Sequence, residues 1–362
     1  MSNDMPAGRS PRWRQRPAGS TWGDFGPDDQ LGRLNLITRQ KVREGLAEAR
    51  EGLPFSLSLP LDYPGGNALN PNRHPPVLRP TRRRGLVNFN CLLGELEPGR
   101  PDVLSDDLAI LHLQYSTQWD GLSHAGSMFD ADGDGIPEPV YYNGFRAGVE
   151  LIGPSDRADA GIDADSRQVD GRWPSTSAAH ALGVGPMAEH AVQGRAAMVD
   201  LHAHYGDART LVGYDALQRV LDADRVEIER GDIVCLHTGF AEAVLGMNRQ
   251  PDPARLNALG AVLDGRDEKL LQWITDTELA AIAADNYAVE AHPAAGGDAC
   301  CAALPLHEHC LFKLGVHLGE LWRLSPLAAW LRAHDRYRFL LTAPPLNLPG
   351  AVASPLTPVA TV

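Results

Sequence analysis

The sequence predicts a protein of the α/β class. In the second half of the chain, short apolar segments typical of buried strands alternate with segments of helical character. The clearest strand segments read AAMVDLHAHYG and GDIVCLHTGF, and LAAIAADNYAVE is a further short element. Neither an internal repeat nor a shift in composition indicates a domain boundary. We therefore expect a single α/β domain over residues 21–362, preceded by a flexible basic arm over residues 1–20.

The first half of the domain is predicted from local patterns. A helical stretch runs from about Thr38 to Glu51. The segment from Phe55 to Pro60 alternates apolar and polar residues with a period of two, which is typical of a half-buried strand. A long loop rich in Pro, Arg and Asn follows as far as Arg84. Loops of this length inside compact domains are usually functional or disordered, so this one is a candidate lid.

Composition excludes several classes of protein. The 362 residues are 43% hydrophobic and 22% charged, which is typical of globular proteins and excludes a disordered chain. The formal charge of -13 disfavours binding to nucleic acid and to anionic membranes. Five cysteines show no disulfide or zinc spacing, and no apolar run resembles a signal peptide or a membrane span. We therefore expect a cytoplasmic protein with no nucleic-acid or membrane partner.

Familiar catalytic motifs are missing from the sequence. It contains no GxxxxGK[ST] loop and no GxGxxG after a strand, which disfavours nucleotide chemistry. A Gly-x-Ser-x-Gly elbow is also missing, and no cysteine lies in a nucleophile motif. Acyl-enzyme hydrolysis therefore has no obvious centre.

The segment LHLQYSTQWDGLSHAG, Leu111 to Gly126, contains the strongest candidate for a site. If it is a strand, alternate residues share one polar face, while Trp119 faces the core. A polar row is unfavourable to bury unless it binds something, and Gly121 allows a turn that returns His124 toward Asp120. The pair would form half of a metal site or an acid/base pair, and the alternative is a solvent-facing edge strand. The polar face comprises His112, Gln114, Ser116, Gln118 and Asp120.

A second candidate is PLHEHCLFKLGVHLGELW, Pro305 to Trp322. A short helix is predicted to end at Gly315, after which the chain becomes extended. His307 and Glu320 would point to opposite sides of one continuous helix, so only the break at Gly315 allows them to converge. His309 and His317 are alternatives to His307 for the same role.

The segment FDADGDGIPEP resembles the first half of a calcium loop. Asp130, Asp132 and Asp134 have the spacing of calcium ligands. The bidentate Glu expected at the twelfth position is replaced by Tyr141. We therefore favour a tight acidic turn over a calcium site.

Five stretches in order resemble the cyclase and kynurenine-formamidase-like family of metal-dependent hydrolases. The resemblance spans roughly Trp22 to Leu324 and implies a swivelling β/β/α domain with a mixed sheet core and flanking helices. It also implies a homo-oligomer, a dimer or tetramer, that hydrolyses amide or related bonds with divalent metal. The stretches are WGDFGPDDQLGRLNLIT, STQWDGLSHAG with the following YYNG, GDIVCLHTGF, ADNYAVEAHP and LHEHCLFKLGVHLGELW.

The family signature His-x-Gly-Thr-His-x-Asp-x-Pro-x-His matches this chain only in part. Its three histidines fall on Gln114, Gln118 and His124, and its Asp falls on Asp120. Its Gly, Thr and Pro fall on Ser116, Thr117 and Leu122, and the family's later His and Glu fall on His307 and Glu320. Glutamine thus replaces two ligand histidines. An amide oxygen is a weaker donor than imidazole toward zinc-like ions, so the resemblance does not support a two-metal site here.

The resemblance therefore implies one divalent metal, Zn or Mn, and the alternative is a site without metal. Its ligands would be Asp120, His124, His307 and Glu320, with Asp120 or His124 moving a proton. The substrate would be a small amide, imide or lactone, bound by Gln114, Gln118, Tyr142 and Asn143. Two alternatives remain open: a metal-free cyclase, isomerase or dehydratase that uses His124 and Asp120 as acid and base, and a non-catalytic small-molecule binding protein.

Overall fold

The computed structural model describes residues 12–161, 174–294 and 301–362. Its core is a nine-stranded mixed sheet with helices on both faces, and this confirms the predicted α/β class. The strands are β1 (Pro54–Ser56), β2 (Val77–Pro80), β3 (Arg82–Arg83), β4 (Leu86–Val87), β5 (Cys91–Leu92), β6 (Val103–Leu104), β7 (Asp107–Ile110), β8 (Gln118–Asp120), β9 (Ser127–Phe129), β10 (Glu138–Val140), β11 (Leu151–Ile152), β12 (Ala178–Ala179), β13 (Gln193–Asp200), β14 (Thr210–Val212), β15 (Ile233–His237), β16 (Ala261–Leu263), β17 (Ala281–Ala284), β18 (His317–Glu320), β19 (Arg338–Thr342), β20 (Ala353–Pro355) and β21 (Val359–Thr361).

The helices connect and cover these strands. Several short 3₁₀ turns accompany them, and a π-helical segment, Glu308–Leu314, directly follows α8. The α-helices are α1 (Arg39–Glu48), α2 (Val184–His190), α3 (Leu201–Tyr205), α4 (Tyr214–Asp224), α5 (Phe240–Gly246), α6 (Pro253–Asn257), α7 (Glu268–Thr277), α8 (Pro305–His307) and α9 (Ser325–Ala333).

The order of strands across the sheet is β1-β21-β19-β13-β15-β17-β18-β8-β20. The four central strands β13, β15, β17 and β18 are parallel, and antiparallel strands flank them on both sides. Val234 and Leu236 of β15 belong to one buried apolar cluster and Cys235 to another. Because side chains alternate across a strand, the two clusters lie on opposite faces of the sheet. The continuous apolar sequence of these strands follows from burial on both sides.

Local chemistry explains the helix boundaries. Thr38 caps α1 by accepting a hydrogen bond from the backbone N–H of Lys41, so this helix begins where the sequence predicts and ends three residues earlier. Asp267 caps α7 in the same way, with bonds from the N–H groups of Lys269 and Leu270. Leu270 and Ile274 then lie on the buried face of α7, one turn apart.

Two predicted strands are shorter than expected. β1 covers only Pro54–Ser56, although Leu57 and Leu59 are buried as the alternation predicts. Of the segment from Leu111, only Gln118–Asp120 is a strand. The hydroxyl of Tyr115 accepts from the N–H of Gly65 and donates to the carbonyl of Gly66, which holds the preceding residues in a turn instead. The expected single polar face is therefore wrong for His112 and Ser116.

Residues 77–110 form a β-ribbon that is separate from the nine-stranded sheet. Strand β2 pairs with β7, and two short hairpins lie between them in sequence, β3 with β4 and β5 with β6. Large apolar side chains on it are exposed, including Leu78, Val87 and Phe89. None of its residues belongs to the buried apolar clusters of the domain. The long loop that the sequence predicts as far as Arg84 therefore overlaps the first part of this ribbon.

The described part of the predicted basic arm packs against the domain. Arg12 pairs with Asp28 at 2.7 Å, and the N–H of Arg14 donates to the carbonyl of Ala131. The indole ring of Trp13 lies 6.3 Å from that of Trp22. Residues 12–20 are thus held by the domain, and residues 1–11 of the predicted arm lie outside the described residues. Every helix in the described part of the chain is too short or too polar to cross a membrane.

Candidate active site

The candidate site lies where β8 and β18 pair. In this antiparallel pair, Glu320 is directly opposite Gln118, and Asp120 lies two residues further along β8. Residues two apart in a strand share a face, so the side chains of Gln118, Asp120 and Glu320 meet on one side of the sheet. All three are buried. On the other side, Trp119 packs in the core and donates a hydrogen bond from Nε1 to the carbonyl of Ala343, as the alternation predicts.

His307 reaches the same place from α8. Its Nε2 is 3.4 Å from Glu320 Oε1, and its Nδ1 is 2.8 Å from Glu290 Oε1. Glu290 also accepts hydrogen bonds from the backbone N–H groups of Leu306 and His307. The carboxylate of Glu290 therefore fixes both the start of this helix and the orientation of the imidazole.

Asp120, His307 and Glu320 form a compact ligand set. One potential ligand atom from each lies within 4.8 Å of the other two. Asp120 Oδ2 is buried and has no hydrogen-bond partner among the described residues. Gln118 Nε2 donates to Asp120 Oδ1 at 3.2 Å and to Glu320 Oε2 at 3.3 Å. The glutamine amide thus bridges the two carboxylates and leaves one oxygen of Asp120 unpaired.

Burial and close charges shift the protonation equilibria in this set. Burial raises the pKa of Asp120, and the nearby carboxylate of Glu320 contributes in the same direction. Burial alone would lower the pKa of His307, but hydrogen bonds to Glu290 and Glu320 outweigh it and raise that pKa to about 10. Burial would raise the pKa of Glu320, but the hydrogen bond and charge of His307 lower it. His307 and Glu320 are therefore an ion pair, with Asp120 the carboxyl that most readily takes up a proton.

His124 lies at the solvent side of this set. Its backbone N–H donates to the carbonyl of Gly121, and this turn brings Nε2 to 4.0 Å from Asp120 Oδ1. Its Nδ1 is 3.4 Å from Gln114 Nε2. The side chain of His124 is 23% exposed, whereas that of Asp120 is fully buried. Solvent or substrate can therefore reach His124 before it reaches the buried carboxylates.

Comparison with known protein families identifies the family of this chain. A family model, Cyclase, with the description "Putative cyclase", matches residues 55–291, about two thirds of the chain. The chain belongs to the cyclase family. The family resemblance seen in the sequence is thereby confirmed. The match includes Asp120, His124 and Glu290 and ends before His307.

Solved structures share the fold of this cyclase-family chain. One described as a novel cyclase is 29% identical, with a TM-score of 0.68, and the match covers 95% of this chain and 97% of that one. Isatin hydrolase A from Labrenzia aggregata is 13% identical with a TM-score of 0.53, covering 89% and 98%. Isatin hydrolase A from Ralstonia solanacearum is 14% identical with a TM-score of 0.51, covering 88% and 95%. A comparison with curated protein sequences gives no significant match.

The structure places the other predicted histidines elsewhere. His309 Nε2 is 3.0 Å from the hydroxyl of Thr275 on α7, and burial lowers the pKa of His309 to about 4. His317 is buried in β18, three residues before Glu320. Of the three candidates in this segment, His307 is the one that meets the carboxylates.

Tyr142 and Asn143, predicted to bind substrate, contact the N-terminal part of this cyclase-family chain. The hydroxyl of Tyr142 lies 3.4 Å from a carboxylate oxygen of Asp29. Asn143 donates to the carbonyls of Gly26, Pro27 and Asp29 and accepts from the N–H of Gly23. Both side chains are buried in these contacts, so the proposed substrate site does not include Tyr142 or Asn143.

The acidic turn is held by hydrogen bonds within its own segment. Asp130 accepts backbone hydrogen bonds from Gly133, Asp134 and Gly135, and Asp134 accepts one from Ile136. Asp132 pairs with Arg146 at 3.3 Å. These bonds explain the Asp/Gly pattern as a tight turn. One carboxylate oxygen from each of Asp130, Asp132 and Asp134 also lies within 4.8 Å of the others.

Two residues near the site carry no motif in the sequence. Glu290 lies within ADNYAVEAHP, but no pattern there marks it as a site residue, because its contact with His307 joins residues 17 apart. Arg73 lies in the long loop, and one of its guanidinium N–H groups donates to the carbonyl of Gln114. Its positive charge lowers the pKa of both Asp120 and Glu320. A Pro/Asn-rich loop offers no periodic signal that would place Arg73 here.

Proposed function

We propose that this chain is a hydrolase that opens or cleaves a small amide, imide or lactone at the Asp120 site. The observation that carries the proposal is the convergence of Asp120, His307 and Glu320, with Asp120 Oδ2 buried and unpartnered. A buried carboxylate oxygen without a donor is unfavourable unless a cation or a reacting group compensates it. Family membership and the fold shared with two isatin hydrolases support a hydrolytic role.

The donor set fits a single divalent cation. Carboxylate oxygen and imidazole nitrogen are both zinc donors, and a set of three protein ligands leaves a position open for water or substrate. Asp120, His307 and Glu320 would hold the ion, and Glu290 would orient His307 from behind. His124, which was expected as a fourth ligand, lies outside the group of converging ligand atoms. A bound Zn²⁺ or Mn²⁺ supplies a Lewis acid and lowers the pKa of water. When the ion binds, the amide of Gln118 would have to break its hydrogen bonds to the carboxylates of Asp120 and Glu320.

The chain's own residues supply the proton transfers. His124 is close to Asp120 and partly exposed, so it can take a proton from water and later give it to the leaving group. The amide of Gln114 contacts Nδ1 of His124 and holds the ring in place. The charge of Arg73 favours negative charge that develops on the substrate carbonyl oxygen. Asp120 and His124 thus keep their proposed catalytic roles, and Gln114 acts by positioning.

The proposed substrate class rests on the resemblance to the family of metal-dependent hydrolases. Isatin is a cyclic amide, and hydrolysis opens such a ring. The likeness to isatin hydrolases is 13–14% in sequence, so isatin is a first compound to screen, together with other cyclic imides and lactones. The predicted homo-oligomer and the cytoplasmic location stay predictions.

The decisive experiment measures bound metal and turnover together. Purified without a histidine tag, the protein is expected to hold about one equivalent of zinc or manganese. Asp120→Asn and Glu320→Gln are expected to lose both the ion and the hydrolysis of cyclic amides. Asp134→Asn is the matched control, because it removes a carboxylate from the other acidic group and leaves this site intact. Metal retained in Asp120→Asn but lost in Asp134→Asn would contradict the proposal.

A second candidate is metal-free acid/base chemistry at the same site. The bridging hydrogen bonds of Gln118 favour it, because they pair one oxygen of each carboxylate without an ion. In that case His124 and Asp120 would isomerise or dehydrate a small carbonyl compound. Protein without metal, even after soaking, that still loses turnover in His124→Ala would favour this second candidate.

A further inference from the structure

A second polar cluster lies at the carboxyl ends of β13 and β15. Asp200 and His237 are the last residues of these parallel strands and face each other in register. His237 Nδ1 is 2.7 Å from Asp200 Oδ1, and His237 Nε2 is 3.0 Å from the hydroxyl oxygen of Ser325. The serine, the imidazole and the carboxylate thus form a continuous chain of hydrogen bonds. None of the three was singled out in the sequence.

Asp200 is held as an ionised acceptor. Arg332 Nε donates to its Oδ2 at 2.9 Å, and the backbone N–H of Ala203 donates to its Oδ1 at 3.1 Å. Burial would raise the pKa of Asp200, but the hydrogen bond and charge of His237 and the bond from Arg332 lower it to about 2. An anionic Asp200 accepts from Nδ1–H, so in the neutral imidazole Nε2 can accept the serine proton. Burial would lower the pKa of His237, but the hydrogen bond to Asp200 and the charge of Asp285 outweigh it and raise that pKa, which strengthens His237 as a base.

The cluster opens onto a pocket. Its volume is ≈ 500 Å³, and the three residues of the cluster line it together with His202, Glu242 and Arg332. Ser325 is half-buried, so a small molecule in this pocket can reach its hydroxyl group. Ser325 is also the first residue of α9, a helix of nine residues. The partial positive charge at a helix N-terminus stabilises negative charge that develops on this oxygen.

We propose that Ser325, His237 and Asp200 form a second catalytic site, which hydrolyses small carboxylic esters through an acyl-serine. Ser325 and His237 are the catalytic residues, and Asp200 is a positioning residue. The missing Gly-x-Ser-x-Gly motif does not oppose this, because such triads recur on unrelated folds and are recognised by geometry. Here the three residues come from two strands and one helix.

The steps balance with water as the only co-reactant. The oxygen of Ser325 bonds to the ester carbonyl carbon while its proton passes to His237 Nε2. The bond from that carbon to the leaving oxygen then breaks, and His237 returns the proton to the departing alcohol. Water next attacks the acyl-serine and gives a proton to His237. The bond to the serine oxygen breaks, the proton returns to Ser325, and a carboxylic acid leaves.

The test uses para-nitrophenyl acetate and the full chain. We expect a burst of para-nitrophenolate and the mass of one acetyl group on the peptide that contains Ser325. Ser325→Ala abolishes both, and His237→Gln slows acetylation by about 10²–10⁴-fold. Asp200→Asn slows acetylation of Ser325 and is expected to change ester binding less, because Asp200 acts through His237. Ser127→Ala is the matched control: another half-buried serine with a hydrogen-bonded partner, Glu308.

Two further variants separate this proposal from other outcomes. Asp120→Asn removes the first site, and the acetyl group on Ser325 is expected to form in this variant; its loss would overturn the proposal of a separate second site. In Ser325→Cys, the thiol reacts with iodoacetamide faster than it does when His237→Gln is added, which tests the pair even if Ser325→Ala fails to fold. Acetylation that persists in Ser325→Ala, or equal thiol reactivity with and without His237, overturns the proposal.

Discussion

Glu290 determines how His307 is presented. It binds Nδ1 of the imidazole and two backbone N–H groups of α8 with a single carboxylate. Groups behind a metal ligand fix its tautomer and its direction, and their loss weakens metal binding. The acid therefore matters to the candidate site although it lies outside the ligand set.

We predict that Glu290→Gln lowers the affinity for zinc or manganese by about 10–100-fold. The amide retains the volume of the side chain but loses the charge that orients the imidazole. Titration with metal, followed by calorimetry, measures the change. Glu308→Gln is the control, since Glu308 is one residue beyond His307 and bonds to Ser127 instead. Equal affinities of the two variants would refute a positioning role for Glu290.

His317 makes a prediction about stability and pH. Burial lowers the pKa of His317 to about 3, against about 6.5 in an unfolded chain. Between these pH values the unfolded state binds a proton that the folded state does not, so stability falls as pH decreases from about 6.5 toward 3. The contribution of this group is complete above pH 6.5 and changes by about 1.4 kcal/mol per pH unit within the window.

His317→Gln is expected to flatten this part of the stability profile, because the amide does not titrate. Urea unfolding at several pH values between 4 and 8 gives the slope directly. His334→Gln, at an exposed position, is expected to leave the slope unchanged. A slope in His317→Gln equal to that of the wild type would show that other groups cause the acid sensitivity.

At the scale of elements, the break between the π-helical segment and β18 brings His307 and Glu320 together. Gly315 ends the π-helical segment with a φ of +63°. A Cβ at this position would lie 2.7 Å from Gly32 Cα and 2.8 Å from the ring of Tyr142. The close approach of three segments, as well as the backbone angle, therefore requires glycine here.

We predict that Gly315→Ala destabilises the protein by more than the backbone angle explains. A left-handed non-glycine residue costs about 1–2 kcal/mol, and the clash adds about 1–3 kcal/mol. Gly52→Ala is the matched control: its φ is +64° and nothing lies within 4 Å of the new Cβ. Denaturant unfolding of both variants isolates the contribution of the clash. Equal losses would mean that the neighbouring segments move aside.

Local sequence predicted part of this architecture and of the site. The buried parallel strands and the turn that returns His124 toward Asp120 follow from apolar runs and from Gly121. The extent of β8 does not follow from the local sequence. The bonds of Tyr115 to the backbone of Gly65 and Gly66 hold the residues before Gln118 in a turn, so the strand begins later than the sequence predicts.

Contacts distant in sequence account for the rest. Glu290, Arg73 and the chain of bonds through His237 join residues from separate elements. A local pattern carries no record of such contacts, so neither a periodicity nor a motif indicated them. The family resemblance placed His307 and Glu320 where the spacing alone left His309 open.

At the scale of the whole molecule, the ribbon 77–110 stands apart from the folded core. Its outer strands pair from Val77 with Ile110 to Pro80 with Asp107, and its two short hairpins lie between them. The three buried apolar clusters contain no residue of it. The stability of the domain should therefore not depend on its presence.

We predict that replacing residues 81–106 by an Asn-Gly turn leaves the thermal unfolding midpoint within a few degrees of the wild type. Pro80 pairs with Asp107 at this point, so a two-residue turn can join the strands. Differential scanning calorimetry measures the midpoint. Residues 77–80 and 107–110 are kept in this variant, so the ladder of β2 and β7 remains. Loss of a cooperative transition would show that the ribbon contributes to the core.

The Trp119–Trp322 pair lies directly beside the candidate site. The two rings lie 4.9 Å apart, edge to face, and Trp322 Nε1 donates to the carbonyl of Gln118. Trp119 stands in β8 between Gln118 and Asp120, so any ligand that moves these side chains alters the surroundings of both indoles. Intrinsic fluorescence can therefore follow occupancy of this site without a label. Trp119→Phe, which replaces the indole by a smaller ring, is expected to remove most of the ligand-dependent change in fluorescence.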